Sequence, residues 1–204
     1  MMNPDACVIT TPSDQAIFNE EAFRKNVLEG LAFVAENNHF LTMGVKPTRP
    51  EPGYGYIQMG DVYSDNIYQV QSFTEKPERD FAKVFVESGE FYWNTGLFLS
   101  NVSYLRECFC KILPPVLRDY DKKYPEFSVE TENAYMKESF SSYPNISVDF
   151  GILEKPSNVC VMRCDFGWAD LGTWHSIYEA MQKGEDDNVI VDSDVLMENC
   201  YNTV

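Results

Sequence analysis

Apolar positions along the chain switch repeatedly between two periods. Over 20–36, Phe23, Val27, Leu31 and Val34 recur at helical spacing. Asn19 is placed to cap that helix, and Glu20 and Glu21 suit its positive end. Around it lie runs rich in β-branched and aromatic residues, at 7–11, 39–45 (weakened by Gly44), 54–59 and 67–73, which predict strands. Residues 78–87 predict a short helix with Phe81, Val84 and Phe85 facing inward and Gly89 stopping it. Residues 93–100 read as an apolar strand interrupted by Asn94-Thr95-Gly96. The segment 104–113 reads as a helix with Leu105, Phe109, Ile112 and Leu113 at core spacing, ended by Pro114-Pro115, from which a shorter helix starts. Residues 134–140 and 174–183 predict further helices, and 159–163 a further strand.

This interleaving predicts an α/β domain whose sheet is partly parallel, with the first strand in a central position. From residue 185 the style changes. Short β-prone pieces at 188–191 and 195–197 are separated by Asp and Asn, so the expected division is a main domain over 1–184 and the start of a second β element over 185–204.

Composition narrows the possibilities. With 204 residues, 44% hydrophobic and 24% charged, the chain can bury a sizeable core, which excludes disorder and a disulfide-stapled miniature fold. Sixteen Lys and Arg against 32 Asp and Glu give a net charge of −16. That field repels nucleic acid and anionic membrane, so a phosphate ligand must meet local cations or a metal ion. No run approaches the roughly 20 apolar residues of a membrane span, and the start has no basic or apolar leader pattern. The six cysteines form no C-x-x-C pair and only two histidines are present, so reduced thiols in a cytoplasmic protein are expected rather than a zinc cluster.

Six segments carry more chemistry than packing requires. Pro12-Ser13-Asp14 follows a strand, where open α/β sheets bind ligands and a carboxylate can hold a divalent cation, although a turn or capping aspartate fits equally. Gly53-Tyr54-Gly55-Tyr56-Ile57 sets glycines, which let a ligand approach the backbone, among aromatics; a hairpin corner also explains it. Phe73-Thr74-Glu75-Lys76-Pro77 ends a strand with an acid for sugar hydroxyls and a base for a phosphate, or with a plain exposed pair. In Trp93-Asn94-Thr95-Gly96 a buried amide demands partners, which a polyhydroxylated ligand would supply. Asp149-Phe150-Gly151-Ile152-Leu153-Glu154-Lys155 and Gly167-Trp168-Ala169-Asp170-Leu171-Gly172-Thr173-Trp174 set further acids, and in the first a lysine, among glycines and aromatics.

In this order the segments resemble the sugar-1-phosphate nucleotidyltransferases, and most closely the mannose-1-phosphate guanylyltransferases. The family pattern reads P-[AS]-D-H, G-Y-G-Y-I, F-x-E-K-P, W-N-[ST]-G-[ML]-F, [SI]-x-D-[YF]-x-[IL]-[ML]-E-K and G-W-x-D-[LV]-G-[ST]-W, and the likeness covers about residues 6–181. Two departures stand out: Gln15 replaces the histidine, and the family's glycine-rich G-G-x-G-x-R-x-x-P loop lies upstream of the first motif here.

The resemblance implies a partial Rossmann-like three-layer nucleotidyltransferase domain with a mixed sheet, lacking its N-terminal strands and open to homo-oligomerisation through the face they would cover. It implies transfer of a guanylyl group from GTP to mannose 1-phosphate, giving GDP-mannose and pyrophosphate. Asp14 and Asp170 would hold Mg²⁺, with Lys76 and Asp170 as catalytic residues. Gly55, Tyr56, Glu75, Lys76, Asn94, Asp149, Glu154 and Lys155 would bind substrate. Little turnover is expected of the chain without the GTP-binding loop. The alternatives are a non-catalytic sugar-phosphate-binding or regulatory module, and a transferase for another sugar or base.

Overall fold

The computed structural model describes residues 3, 5–148, 150, 151 and 158–204. Its elements are β1 (Cys7–Thr10), β2 (Ala16–Ile17), α1 (Glu20–Glu36), β3 (Phe40–Val45), β4 (Gly55–Ser64), β5 (Ile67–Glu75), α2 (Arg79–Ser88), β6 (Phe91–Asn101), α3 (Val102–Ile112), α4 (Pro114–Lys123), α5 (Val129–Ser139), β7 (Val159–Cys164), β8 (Trp168–Ala169) and α6 (Trp174–Ala180).

Every residue of β3 is buried, and so is all of β7 except Arg163. Continuous apolar runs of this kind belong to strands covered on both faces. The two pair in parallel, from Phe40 opposite Val159 to Val45 opposite Cys164, at the centre of a six-stranded sheet of order β1-β6-β3-β7-β5-β4. The other pairings of that sheet are antiparallel, so it is mixed. Both β1 and β3 run antiparallel to β6. Strands β1, β3 and β7 therefore point the same way, and their carboxyl ends share one edge of the domain.

Alternation along the strands separates two apolar clusters. Leu41, Met43, Leu99, Cys160 and Met162 turn to one face, where Phe23, Val27, Leu31 and Val34 of α1 pack, and Ala82, Phe85 and Val86 of α2 join the same cluster beside Tyr56 and Phe91. Phe40, Phe98 and Val159 turn to the other and meet Tyr104, Cys108 and Phe109 of α3. The result is three layers, as expected. Asn19 caps α1 by accepting the Ala22 N–H at 3.0 Å. Asn101 caps α3 through Tyr104 N–H and donates back to Val34 O near the end of α1.

Several expectations need correction. Strand β1 lies at the sheet edge among the described residues, paired with β6 alone, and not in the centre. On α2 the buried stripe is Ala82, Phe85 and Val86, at i, i+3 and i+4. Phe81 and Val84 sit one position out of phase and face solvent, whereas Phe85 stacks on Phe91 at 4.0 Å. Residues 188–191 and 195–197 form no strand. Asp186, Asp187, Asp192, Asn199 and Asn202 all adopt positive φ, which breaks any ladder. The tail instead loops around the buried Asn188, which bonds to Cys200 O and to Thr203. All six cysteines are free; Cys108, Cys160 and Cys164 are buried, while Cys110 is exposed. No helix among the described residues is long and apolar enough to cross a membrane.

Candidate active site

The site forms where the carboxyl ends of β1 and β7 meet the β4–β5 hairpin. Gly55 opens β4 directly opposite Glu75, the last residue of β5. A Cβ on Gly55 would stand 2.6 Å from Glu75 Oε2 and 3.4 Å from Asn94 Cβ. Glycine is thus what lets the Glu75 carboxylate fold over the strand, beside Asn94 of β6. The Glu75 side chain is 16% exposed, and its Oε1 lies 3.6 Å from Lys76 Nζ, whose side chain is 66% exposed.

Lys76 takes a left-handed backbone, φ +47°, as its N–H turns back to Tyr54 O at 3.2 Å. Leu171, next to Asp170, does the same at φ +55°. Non-glycine residues in that region carry strain of order 1–3 kcal/mol each, and such strain collects at functional sites.

Asp170 follows β8, which pairs with β2 through Ala16 opposite Ala169 and Ile17 opposite Trp168. That two-residue ladder carries Asp170 back to the loop after β1. Burial pushes the Asp170 carboxyl above the usual carboxylate range, and the negative charge of Asp14 adds to this. A hydrogen bond from Gln15 and the charge of Lys76 act in the opposite direction, and Glu51 raises it further. The charges of Asp14, Glu51 and Lys76 therefore all bear on one carboxylate. Behind it, a Cβ on Gly172 would meet Asp170 Oδ2 at 2.7 Å.

Asn94 Oδ1 accepts from the Thr42 hydroxyl at 2.8 Å and from Gly96 N–H at 3.3 Å, so protein groups satisfy that oxygen. Tyr56 does not join the cluster. It is fully buried, its backbone lies between β5 and β6, and its hydroxyl accepts the Glu51 N–H at 2.9 Å. Its part is to prop the 51–54 loop. Asp149, Glu154 and Lys155 lie outside the described residues.

One wall of the site is aromatic. Tyr54 meets Trp93 and Trp168 edge-on at 5.1 and 5.3 Å, and Arg49 lies 5.4 Å over the Trp93 ring while pairing with Glu51 at 3.5 Å. Burial raises the Tyr54 hydroxyl pKa, and Asp170 raises it further. Along this wall runs a cleft of about 960 Å³ that takes in Lys46, Arg49, Arg163 and Asp165. Sequence reasoning missed Glu51, Arg49 and the linking role of Gln15. Glu51 sits between Pro50 and Pro52 in what reads as a plain polar loop, and only the chain's return through Tyr54 brings it to the site.

Asp14 and Asp170 offer the hard oxygen donors that a divalent cation prefers. Such an ion would relieve the like charge that Asp14 sets against Asp170, so these residues fit the group. Among the described residues no cluster of three or more His, Cys, Asp or Glu side chains forms a complete metal cage.

Residues 5–187 match the family described as Nucleotidyl transferase. A mannose-1-phosphate guanylyltransferase of Sinorhizobium fredii is 34% identical over 187 residues, which is 91% of this chain and 36% of that protein. An Escherichia coli protein of the same name is 31% identical over 194 residues, 92% of this chain and 41% of that one. Among solved structures, a Thermus thermophilus protein described as a mannose-1-phosphate geranyltransferase superposes with TM-score 0.79 at 28% identity, covering 91% of this chain and 52% of that one. A Helicobacter pylori protein described as a mannose-6-phosphate isomerase shares the fold, with TM-score 0.67 at 21% identity over 82% of this chain and 65% of that one. The chain spans about two fifths of the length of these curated relatives.

Proposed function

We propose that this chain, which belongs to the nucleotidyl transferase family, forms the sugar-phosphate and metal side of a mannose-1-phosphate guanylyltransferase, with residues 1–184 as its part of the transferase domain and 185–204 as the lead into a further element. The observation that carries this reading is the β2–β8 ladder that brings Asp170 to the loop of Asp14, with Glu75 folded over Gly55 and paired with Lys76. The names of its relatives support the choice of sugar and base.

In the reaction, a phosphate oxygen of mannose 1-phosphate attacks the α-phosphorus of GTP, the bond to the β-phosphate oxygen breaks, and pyrophosphate leaves. Such transfers depend on positioning and charge neutralisation. Mg²⁺ held by Asp14 and Asp170 would supply part of that neutralisation when bound. Lys76, exposed at its tip, balances the sugar phosphate. Glu75 and Asn94 hydrogen-bond sugar hydroxyls, and the bare Gly55 backbone leaves room for the ring. The Tyr54, Trp93 and Trp168 wall keeps water from that side.

Calorimetric titration of the chain with mannose 1-phosphate and with GDP-mannose, each with and without Mg²⁺, tests the proposal. Metal-dependent binding that Asp170→Ala abolishes is the expected result. No binding of either ligand under any condition overturns it.

A further inference from the structure

Gln15, next to Asp14, uses its side-chain amide in two directions. Its Oε1 accepts the Trp168 indole N–H at 2.8 Å. Its Nε2 donates to Thr95 O in β6 at 2.9 Å. A primary amide offers two N–H donors and an acceptor oxygen, and these two contacts call on both kinds. The partners come from β8 and from β6, and Asp170 directly follows Ala169, the residue paired with Gln15's neighbour Ala16.

The rest of the local structure is a poor clamp. Strands β2 and β8 share only Ala16 opposite Ala169 and Ile17 opposite Trp168. Leu171 holds a strained left-handed backbone, and Gly172 leaves no side chain behind Asp170. Two like charges are thus brought together on a two-residue ladder, and a two-stranded ribbon of that length has little stability of its own. The Gln15 amide ties the Asp14 loop to Trp168, two residues ahead of Asp170.

We propose that Gln15 is a positioning residue: by tying the Asp14 loop to Trp168 and Thr95, its amide sets where Asp170 stands relative to Asp14, so that the two can share a divalent cation. The inference rests on reading Asp14 and Asp170 as the metal pair. Groups that orient a metal's ligands from outside typically change metal affinity about 10–100-fold when removed. Leucine at position 15 keeps the bulk and loses every contact. A neutral histidine offers one donor and one acceptor, and so replaces part of the linkage.

The test is Mn²⁺ binding to the full chain, followed by the electron paramagnetic resonance of free Mn²⁺, in wild type, Gln15→Leu and Gln15→His. The Trp168 indole N–H proton resonance and the thermal midpoint are recorded on the same samples. Gln15→Leu is expected to weaken Mn²⁺ at least about tenfold and to shift the Trp168 resonance, with Gln15→His in between. A side chain that served only the fold would lower the midpoint and leave Mn²⁺ affinity of the folded protein unchanged; that result overturns the inference. If Gln15→Leu does not fold, Gln15→His binding Mn²⁺ like wild type overturns it. Absence of Mn²⁺ binding in wild type overturns the metal reading of Asp14 and Asp170, and the inference with it.

Discussion

The middle of the parallel pair β3 and β7 and the edge just beyond its carboxyl ends are built on opposite terms. In the middle, Leu41, Met43, Leu99, Cys160 and Met162 are all but sealed from solvent and packed on α1. Thr42, buried on the opposite face of β3, has its hydroxyl bonded to Asn94. At the edge, the charge of Asp14 bears on Asp170, two non-glycine residues hold left-handed backbones, and a two-residue ladder carries a key side chain. The contrast teaches a division of labour. A site that keeps like charges together and backbone strained needs a neighbouring region that asks for neither.

The sharpest way to break this contrast is from the interior. Leu99→Ala should cost about 2–5 kcal/mol in urea unfolding, as a fully buried leucine packed against Gly30. Sugar-phosphate affinity of the folded fraction should hold; a loss of affinity at full folding would show that the two regions are not separable.

Gly55→Ala probes the edge. Its Cβ would push Glu75 Oε2 from 2.6 Å. The atoms it crowds are side-chain ends, Glu75 Oε2 and Phe73 Cζ at 3.1 Å, and Gly55 does not hold positive φ, so stability should change by about 1 kcal/mol. Mannose 1-phosphate affinity should fall roughly tenfold, a loss of about 1.4 kcal/mol. Unchanged affinity by calorimetry would remove Glu75 and Gly55 from the binding surface.

Asp170→Asn tests the charge itself. Folding raises the Asp170 pKa, so the folded state holds this proton more tightly than the unfolded one. The carboxyl's contribution to stability is then most favourable below the ordinary carboxylate range and declines as pH rises through the folded pKa. In the absence of metal, the variant should melt at or above the wild-type temperature at pH 7, with the difference closing in acid. A lower midpoint at neutral pH would show that the Asp170 charge stabilises the fold.

The smallest effect is chemical. Burial pushes the Cys160 thiol up to about 11 and the Cys164 thiol up to about 12. At pH 8 a thiol reagent should modify the exposed Cys110 and spare both of these in the native protein. Rapid reaction of Cys160 or Cys164 under native conditions would show that the interior opens readily.

What the sequence made legible follows the range of the interactions. Helix α1 is fixed by local periodicity and its Asn19 cap, and its observed span is the one the spacing predicts. The motif segments were visible because each is short and contiguous. The phase of α2 was not, since Ala82 is too small to stand out against Phe81 and Val84. The tail reads as strand by composition, yet its Asp and Asn residues prefer left-handed turns. Glu75 lies over Gly55 because of hairpin register, and Gln15 meets Trp168 across 153 positions of sequence. Contacts of that kind belong to topology, which residue spacing does not encode.

The aromatic wall has an optical consequence. Of the three tryptophans, Trp93 is 4% exposed and Trp168 half-buried, both against Tyr54, whereas Trp174 is 74% exposed. Iodide should quench Trp174 first, leaving intrinsic emission dominated by the pair that borders the site. Without any label, the protein thus carries a fluorescent gauge of whatever settles beside Asp170.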